Sequence, residues 1–236
     1  MILKIKNLNQ IILGGMSMKK LFSIFLITVF LSVSAQDKPA FWNEIQEFKT
    51  LNVKTPPLKN AILLVGSSSF TMWKDVDRYF PEHILINRGF GGSSLYDLNF
   101  YSDELLAPYA PRQIIIYCGE NDFAGNENLK PKEVFNRYKN FYLEIRKYYP
   151  NIPVAYVSIK LSPSRKNLWP KFIATNAMIK KFMDRKPNAE YIDITKAMNG
   201  PNGKVREDLF LEDMLHMKAE GYQIWQKEMA PYLKKP

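Results

Sequence analysis

Short apolar segments alternate with longer amphipathic segments along most of the chain. The apolar segments have the length of buried strands and lie at residues 61–65, 83–87, 113–118, 152–159 and 189–194. Apolar residues at helical spacing mark residues 71–79, 95–106, 131–149, 169–184 and 219–233. Strands that alternate with helices form parallel sheets covered on both faces. The pattern therefore predicts one α/β domain, residues 61–236, built on a five-stranded parallel sheet.

A further helix is predicted before the first strand. Phe41, Ile45, Phe48 and Leu51 recur at helical spacing within residues 36–60. Two prolines at positions 56 and 57 end this pattern, because proline cannot continue a helix. We interpret residues 36–60 as a lead-in helix on the flank of the domain, followed by a linker.

Residues 1–35 have the organisation of a secretory signal peptide with extra residues upstream. An apolar run at 21–33 follows Lys19 and Lys20 and ends in Val33-Ser34-Ala35. The run is too short to span a bilayer comfortably. We expect translation to start at Met16 or Met18 and cleavage to occur between Ala35 and Gln36. The mature protein would then be secreted or periplasmic, without an integral membrane segment.

The charge and the cysteine content of the chain exclude two features, a nucleic-acid site and an intramolecular disulfide. The chain carries 33 basic and 23 acidic residues, a net charge of +10, and four of the basic residues lie in the predicted signal peptide. The remaining excess of +6 is scattered along the chain, which indicates a solvated surface and no nucleic-acid site. Cys118 is the only cysteine, so an intramolecular disulfide is excluded, and its place in an apolar run predicts a buried side chain.

Polar residues follow the predicted strands, at the edge of the sheet where α/β proteins bind ligands. These segments are Ser67-Ser68-Ser69 and residues 87–93, 119–122, 160–165 and 211–216. A serine where a strand turns into a helix is suited to act as a nucleophile, although serine is also a preferred helix cap.

A base for such a nucleophile has few candidates, since His83 and His216 are the only histidines. His83 opens a strand and has the character of a structural residue, whereas Asp213 precedes His216 by three positions and could orient its ring. Gly92 and Asn121 could donate hydrogen bonds to an oxyanion, or could simply form turns.

Together these segments resemble the SGNH, or GDSL-type, esterase and lipase family, from residue 61 to about residue 232. Gly66-Ser67-Ser68 matches the Gly-Asp-Ser block of the family, and residues 87–92 match its Asn and glycine-rich turn. Residues 119–122 match its Gly-x-Asn-Asp block, and residues 213–216 match its Asp-x-x-His block. Ser67 stands where the family has aspartate, so Ser67 and Ser69 remain alternative nucleophiles.

The resemblance implies a three-layer α/β/α sandwich of the flavodoxin-like type that hydrolyses carboxylic esters without a metal or cofactor. Ser68 would attack the carbonyl carbon, His216 would transfer the proton and Asp213 would hold the imidazole ring. The N–H groups of Ser68 and Gly92 and the side-chain amide of Asn121 would bind the oxyanion.

The expected substrate is a small-molecule or glycan ester of a short acyl group, in particular an O-acetylated carbohydrate. The chain shows no long apolar insertion, and Arg88, Arg165 and Trp169 are candidate substrate-binding residues. Other aromatic residues near strand ends could contact a sugar ring or belong to the core: Trp73, Tyr96 and Phe123. A lipid acyl ester hydrolase is the alternative within the same chemistry. A non-catalytic flavodoxin-like module that binds phosphate through its serine loop is the alternative from another class.

Overall fold

The computed structural model describes residues 38–235, and the predicted signal peptide lies outside the described residues. The strands are β1 (Ile62–Gly66), β2 (Leu85–Gly89), β3 (Gln113–Tyr117), β4 (Val154–Val157) and β5 (Ala189–Ile192). They form one parallel sheet in the order β2-β1-β3-β4-β5, which is the strand order of flavodoxin-like proteins. The predicted five-stranded parallel α/β fold is therefore confirmed.

Helices cover both faces of this sheet. They are α1 (Trp42–Lys54), α2 (Ser68–Thr71), α3 (Val76–Tyr79), α4 (Leu95–Phe100), α5 (Ser102–Leu106), α6 (Glu120–Gly125), α7 (Pro131–Tyr148), α8 (Trp169–Met183) and α9 (Ala219–Met229). Short 3₁₀ segments occur at Pro163–Leu168, Glu207–Leu209 and Ala230–Tyr232. No helix within residues 38–235 combines the length and the apolar character that crossing a bilayer requires.

Two hydrophobic clusters, one on each face, explain why the central strands are apolar throughout. Along β1, Leu63 and Val65 belong to one cluster and Ile62 and Leu64 to the other, because successive side chains of a strand point to opposite faces. Helix α1 contributes Ile45, which is fully buried, to the first cluster. Strands buried on both faces need the continuous apolar runs from which they were predicted.

Two predicted helices are each divided into two short ones. Within residues 71–79, Thr71 ends α2 and residues 76–79 form α3, and the buried ring of Trp73 between them stacks on Tyr222 with centroids 4.8 Å apart. Residues 95–106 form α4 and α5, which meet at Tyr101, a residue with non-helical backbone angles whose hydroxyl donates to the carbonyl of Ala40. In both places a buried aromatic side chain fixes the break.

The region after β3 also differs from expectation. Residues 120–125 form helix α6, where the sequence predicted only a loop. Buried Asp122 accepts a hydrogen bond from the N–H of Leu95 at 2.8 Å and pairs with Arg137 at 2.7 Å. These partners lie far away in the sequence, so the helix depends on tertiary contacts that local periodicity does not display.

Candidate active site

The serine loop turns sharply at Gly66 because the chain passes very close to strand β3. Gly66 has φ +153°, and a Cβ atom there would lie 2.0 Å from the carbonyl oxygen of Tyr117, so no other residue fits. After this turn Ser67 and Ser69 are buried, whereas Ser68 is partly exposed. Ser68 is thus the serine of the three that a ligand at the sheet edge can reach.

Contacts from two other elements hold the serine turn in place. The hydroxyl of Tyr222 on α9 donates to the carbonyl of Ser69 at 2.8 Å. The side-chain amide of Asn87 donates to the carbonyl of Phe70 at 2.7 Å and accepts the N–H of Gly89 at 3.0 Å. Asn87 therefore supports the far end of α2, and its side chain is occupied there.

Ser68, His216 and Asp213 form a continuous chain of hydrogen bonds. The Oγ of Ser68 lies 3.0 Å from Nε2 of His216, and Nδ1 of His216 lies 2.5 Å from Oδ2 of Asp213. With Nδ1–H donating to the carboxylate, Nε2 is left as an acceptor that faces the serine hydroxyl. The arrangement can deprotonate Ser68 when it attacks an electrophile.

The carboxylate of Asp213 is held ionised. Burial acts to raise its pKa, but hydrogen bonds from the backbone and ring of His216 and from the N–H of Leu215 lower that pKa to about 2. The two backbone N–H groups lie 2.9 Å from Oδ1 of Asp213. A carboxylate anchored in this way remains an acceptor for the imidazole N–H at all ordinary pH values.

A tight loop carries both Asp213 and His216. The N–H of Leu211 donates to the carbonyl of His216 at 2.7 Å, and Met214 at the tip has φ +54°, the left-handed conformation. The carbonyl of Met214 accepts two hydrogen bonds from Ser164, one from its N–H and one from its hydroxyl, each at 3.0 Å. Ser164, which the sequence did not single out, thereby ties the segment after β4 to this loop.

Two expected hydrogen-bond donors, Gly92 and Asn121, lie side by side. The side-chain amide of Asn121 donates to the carbonyl of Ser93 at 3.1 Å, and a Cβ on Gly92 would lie 3.6 Å from the same nitrogen. One amide hydrogen of Asn121 is thus used to orient the group, and the other makes no hydrogen bond within residues 38–235. Because Ser68 is the first residue of α2, its N–H is not needed by the helix.

A buried polar cluster lies directly beneath this edge of the sheet. The carboxylate of Glu120 pairs with Lys160 at 2.5 Å, accepts the hydroxyl of Tyr117 at 3.0 Å and also accepts the hydroxyl of Ser162. Burial acts to raise the pKa of Glu120, but the charges of Lys160 and Arg165 lower it below its ordinary value. The sequence pattern did not reveal this cluster, although a lysine directly after the apolar run at 152–159 was a signal.

Arg88 is not placed to bind a substrate, contrary to expectation. It lies within β2, and its guanidinium donates to the hydroxyl of Tyr109 at 2.6 Å and to the side chain of Asn52 at 2.9 Å. Only 8% of the residue is exposed. The strand extends two residues further than predicted, which brings Arg88 into the ladder opposite Val65.

The other candidate contacts divide between the core and the surface. Trp73 and Phe123 are buried in the two hydrophobic clusters, whereas Tyr96 is 60% exposed. Arg165 is mostly buried, with a guanidinium nitrogen 3.7 Å from Glu120. Of the aromatic residues considered, Tyr96 and Trp169 therefore remain available to a ligand.

Trp169 lines an open cleft of about 810 Å³. The indole N–H of Trp169 donates to the carbonyl of Ser162 at 2.9 Å, which fixes the ring at one wall. The lining also includes Lys166, Asn202 and Arg206. The lining includes Pro163, which precedes Ser164 in the chain, but none of Ser68, Asp213 and His216.

Metal binding finds no support in the described part of the chain. Within residues 38–235, no group of three or more histidine, cysteine, aspartate or glutamate side chains is arranged to hold an ion. Cys118 is buried, and burial raises the pKa of its thiol well above the ordinary value. A buried thiol with a raised pKa is a poor nucleophile.

The parallel sheet, the serine turn and the hydrogen-bonded histidine define the class of α/β/α carboxylic ester hydrolases. Within that class, the chain belongs to the GDSL-like lipase/acylhydrolase family, whose sequence profile matches residues 65–224. This match covers the serine turn, both oxyanion candidates and the Asp213–His216 loop. The resemblance noted from the sequence blocks is confirmed, and the phosphate-binding module is not retained.

Solved structures of the same fold include proteins from several bacteria. A proposed platelet activating factor from Streptococcus pneumonia has a TM-score of 0.72 and 18% identity, over 91% of this chain and 99% of its own. A GDSL-like lipase from Bacteroides thetaiotaomicron has a TM-score of 0.67 and 20% identity, over 79% of this chain and 95% of its own. A family 3 carbohydrate esterase from Clostridium thermocellum has a TM-score of 0.57 and 14% identity, over 73% of this chain and 96% of its own. At these identities the likeness shows the fold alone. No curated protein sequence matches the chain.

Proposed function

We propose that the protein is an exported serine hydrolase that removes short acyl groups, in particular O-acetyl groups, from carbohydrate. The observation that carries the catalytic part is the hydrogen-bonded series Ser68, His216 and Asp213, with distances of 3.0 Å and 2.5 Å. Export rests on the signal-peptide pattern of residues 1–35, with cleavage after Ala35.

In the proposed mechanism Ser68 Oγ attacks the ester carbonyl carbon while His216 Nε2 takes the hydroxyl proton. Asp213 keeps Nδ1–H oriented and stabilises the imidazolium that forms. The oxyanion of the tetrahedral intermediate accepts hydrogen bonds from Asn121 Nδ2 and from the N–H groups of Gly92 and Ser68. His216 then protonates the leaving alcohol, and water hydrolyses the acyl-enzyme by the same steps.

The cleft lined by Trp169 supports a carbohydrate as the leaving group. Trp169 offers a fixed aromatic face on which a sugar ring can stack, and Lys166, Asn202 and Arg206 offer hydrogen bonds to hydroxyl groups. Carbohydrate esterases share the fold, which makes this substrate class compatible with the scaffold.

A lipid acyl ester is the second candidate substrate. Leu211 and Met214 on the loop that carries the histidine are 36% and 37% exposed, and Met72 after α2 is 41% exposed. Such side chains could contact an acyl chain at about 0.8 kcal/mol per buried CH₂ group. These residues are single side chains rather than a groove, so the glycan ester remains the first choice.

Three variants test the catalytic proposal. Ser68→Ala should abolish hydrolysis of p-nitrophenyl acetate and labelling by an organophosphonate. The matched controls Ser67→Ala and Ser69→Ala, which change the buried neighbours, should retain both. Label on Ser67 or Ser69, or turnover by Ser68→Ala, would refute the assignment of the nucleophile.

The substrate is tested separately by measuring the acetate released from acetylated xylan and pectin. Trp169→Ala should lower kcat/KM for the glycan and leave p-nitrophenyl acetate hydrolysis nearly unchanged. Hydrolysis of lysophospholipid without any release of acetate would favour the lipid candidate.

A further inference from the structure

Glu120 and Lys160 form a buried ion pair that does not touch the reacting atoms. The side chains are 4% and 1% exposed, and Nζ of Lys160 also donates to the hydroxyl of Tyr117 at 3.2 Å. Replacing a buried ion pair by well-packed apolar residues is often neutral or stabilising. Stability alone therefore does not explain why charges occupy this position.

The position of Glu120 in the chain suggests what the pair does. Glu120 precedes Asn121, so its side chain anchors the first turn of α6 that carries the amide. The other end of the same carboxylate accepts the hydroxyl of Ser162, two residues before Ser164. Ser164 in turn holds the carbonyl of Met214 through two hydrogen bonds. One buried carboxylate thus connects the oxyanion side of the site with the loop that carries the histidine.

Arg165 adds to the same connection. Its guanidinium approaches Glu120 to 3.7 Å from the segment that contains Ser164. Glu120 is therefore contacted by Tyr117 on β3 and by Lys160, Ser162 and Arg165 after β4. The contacts of Lys160, Ser162 and Arg165 with Glu120 resist separation of α6 from the segment after β4.

We propose that Glu120 is a positioning residue: it fixes the distance between the amide of Asn121 and the Asp213–His216 loop. The inference rests on the proposed function, since it assigns both groups to one reaction. A displacement of about 1 Å between reacting groups costs about 100-fold in rate, so the loss of such a connection should lower kcat.

Two variants separate positioning from stability. Glu120→Gln keeps the shape of the side chain but removes its charge, which leaves Lys160 buried without a counter-ion. The double variant Glu120→Gln/Lys160→Met removes both charges and so avoids that cost. Tyr149→Phe is the matched control, because it removes a hydrogen bond to the carbonyls of Leu106 and Tyr109 at the opposite edge of the sheet.

The first measurement is steady-state hydrolysis of p-nitrophenyl acetate, corrected for the folded fraction from circular dichroism. Both Glu120 variants should lose about 10- to 100-fold in kcat with KM changed less than about threefold. Tyr149→Phe should lose stability and keep its kcat. Parental kcat in the folded single variant, or its recovery in the double variant, would overturn the proposal. If Glu120→Gln does not fold, the kcat of the double variant alone tests the proposal: a lowered kcat supports it and a parental kcat overturns it.

The second measurement does not depend on turnover. With ¹⁵N-histidine, the ring nitrogens of His216 report its hydrogen bonds to Asp213 and Ser68, and Asp213→Asn identifies the signals. The Glu120 variants should shift or broaden these signals, and Tyr149→Phe should not. Unchanged signals would overturn the positioning role, whereas a parental enzyme without esterase activity would contradict the proposed function alone.

Discussion

Substitution of Asn121 by alanine tests the proposed oxyanion site, and the expected loss of activity has a definite magnitude. One amide hydrogen of Asn121 is bound to the carbonyl of Ser93 at 3.1 Å, and the other would meet the substrate oxygen in the proposed mechanism. Loss of one preorganised donor costs about 10²–10³ in kcat, or about 2.7–4 kcal/mol of transition-state stabilisation. Loss of the bond to Ser93 costs about 0.5–1.5 kcal/mol of folding free energy. Asn121→Ala should therefore damage catalysis much more than stability.

The assay compares kcat and KM for p-nitrophenyl acetate with the free energy of unfolding in urea. Asn99→Ala is the matched control. Asn99 lies on α4, the helix that follows Gly92, and its amide donates to the carbonyls of Leu95 and Arg137 at 2.6 and 3.0 Å. The control should lose stability and keep kcat within about threefold of the parent. KM should hardly change in Asn121→Ala, because the bond forms mainly in the transition state. A higher KM with kcat intact would instead make Asn121 a residue that binds the ground state.

Three further predictions concern acyl length, pH and the serine turn. On aryl esters, kcat/KM should be highest for acetate and fall by octanoate, and a rise with chain length would contradict the short-acyl proposal. Asp213 has a pKa of about 2 in the folded chain against an ordinary 3.8, so its ionised form stabilises the native state above about pH 4, and this contribution is lost as the pH falls through about 2. The difference in unfolding free energy between the parent and Asp213→Asn should therefore shrink as the pH falls from about 5 to about 2. A constant difference would exclude a stabilising contribution from ionised Asp213. Gly66→Ala should cost about 2–6 kcal/mol, measured by urea unfolding, because its Cβ would collide with the carbonyl of Tyr117; unchanged stability would show that the turn can relax.

The sheet could be predicted because burial on both faces leaves a direct mark on the sequence. Residues 62–65 and 114–117 must be apolar to contact both clusters, and their runs are continuous. Helix α6 leaves no such mark, since Asp122 is stabilised by the distant Leu95 and Arg137. Arg88 was misplaced because the predicted strand ended at residue 87, while the ladder continues to Gly89. Because the predicted end of β2 was two residues too early, the Arg88 side chain was assigned to the substrate-binding loop, whereas it is buried in the structure.

The site divides in the same way between local and distant determinants. Ser68, Asn121, Asp213 and His216 lie in short blocks that can be recognised in one dimension, and the structure places each at the same edge of the sheet. Ser164 could not be found in this manner, because its role depends on a carbonyl fifty residues away. Contacts of this kind depend on how loops from different strands meet, which no local pattern records.

The contact between Ser68 and His216 joins residues 148 positions apart, across every crossover of the parallel sheet. Such a pair can form only after the intervening chain has paid the entropy of closing that loop, so long-range contacts of parallel sheets arise slowly in folding. Hydrolytic activity that returns during refolding should therefore appear with the last, global phase and lag behind helical ellipticity. A chain released before residue 216 would hold all five strands and still be unable to assemble this pair, so under the proposed mechanism activity is acquired only after residue 216 has been synthesised.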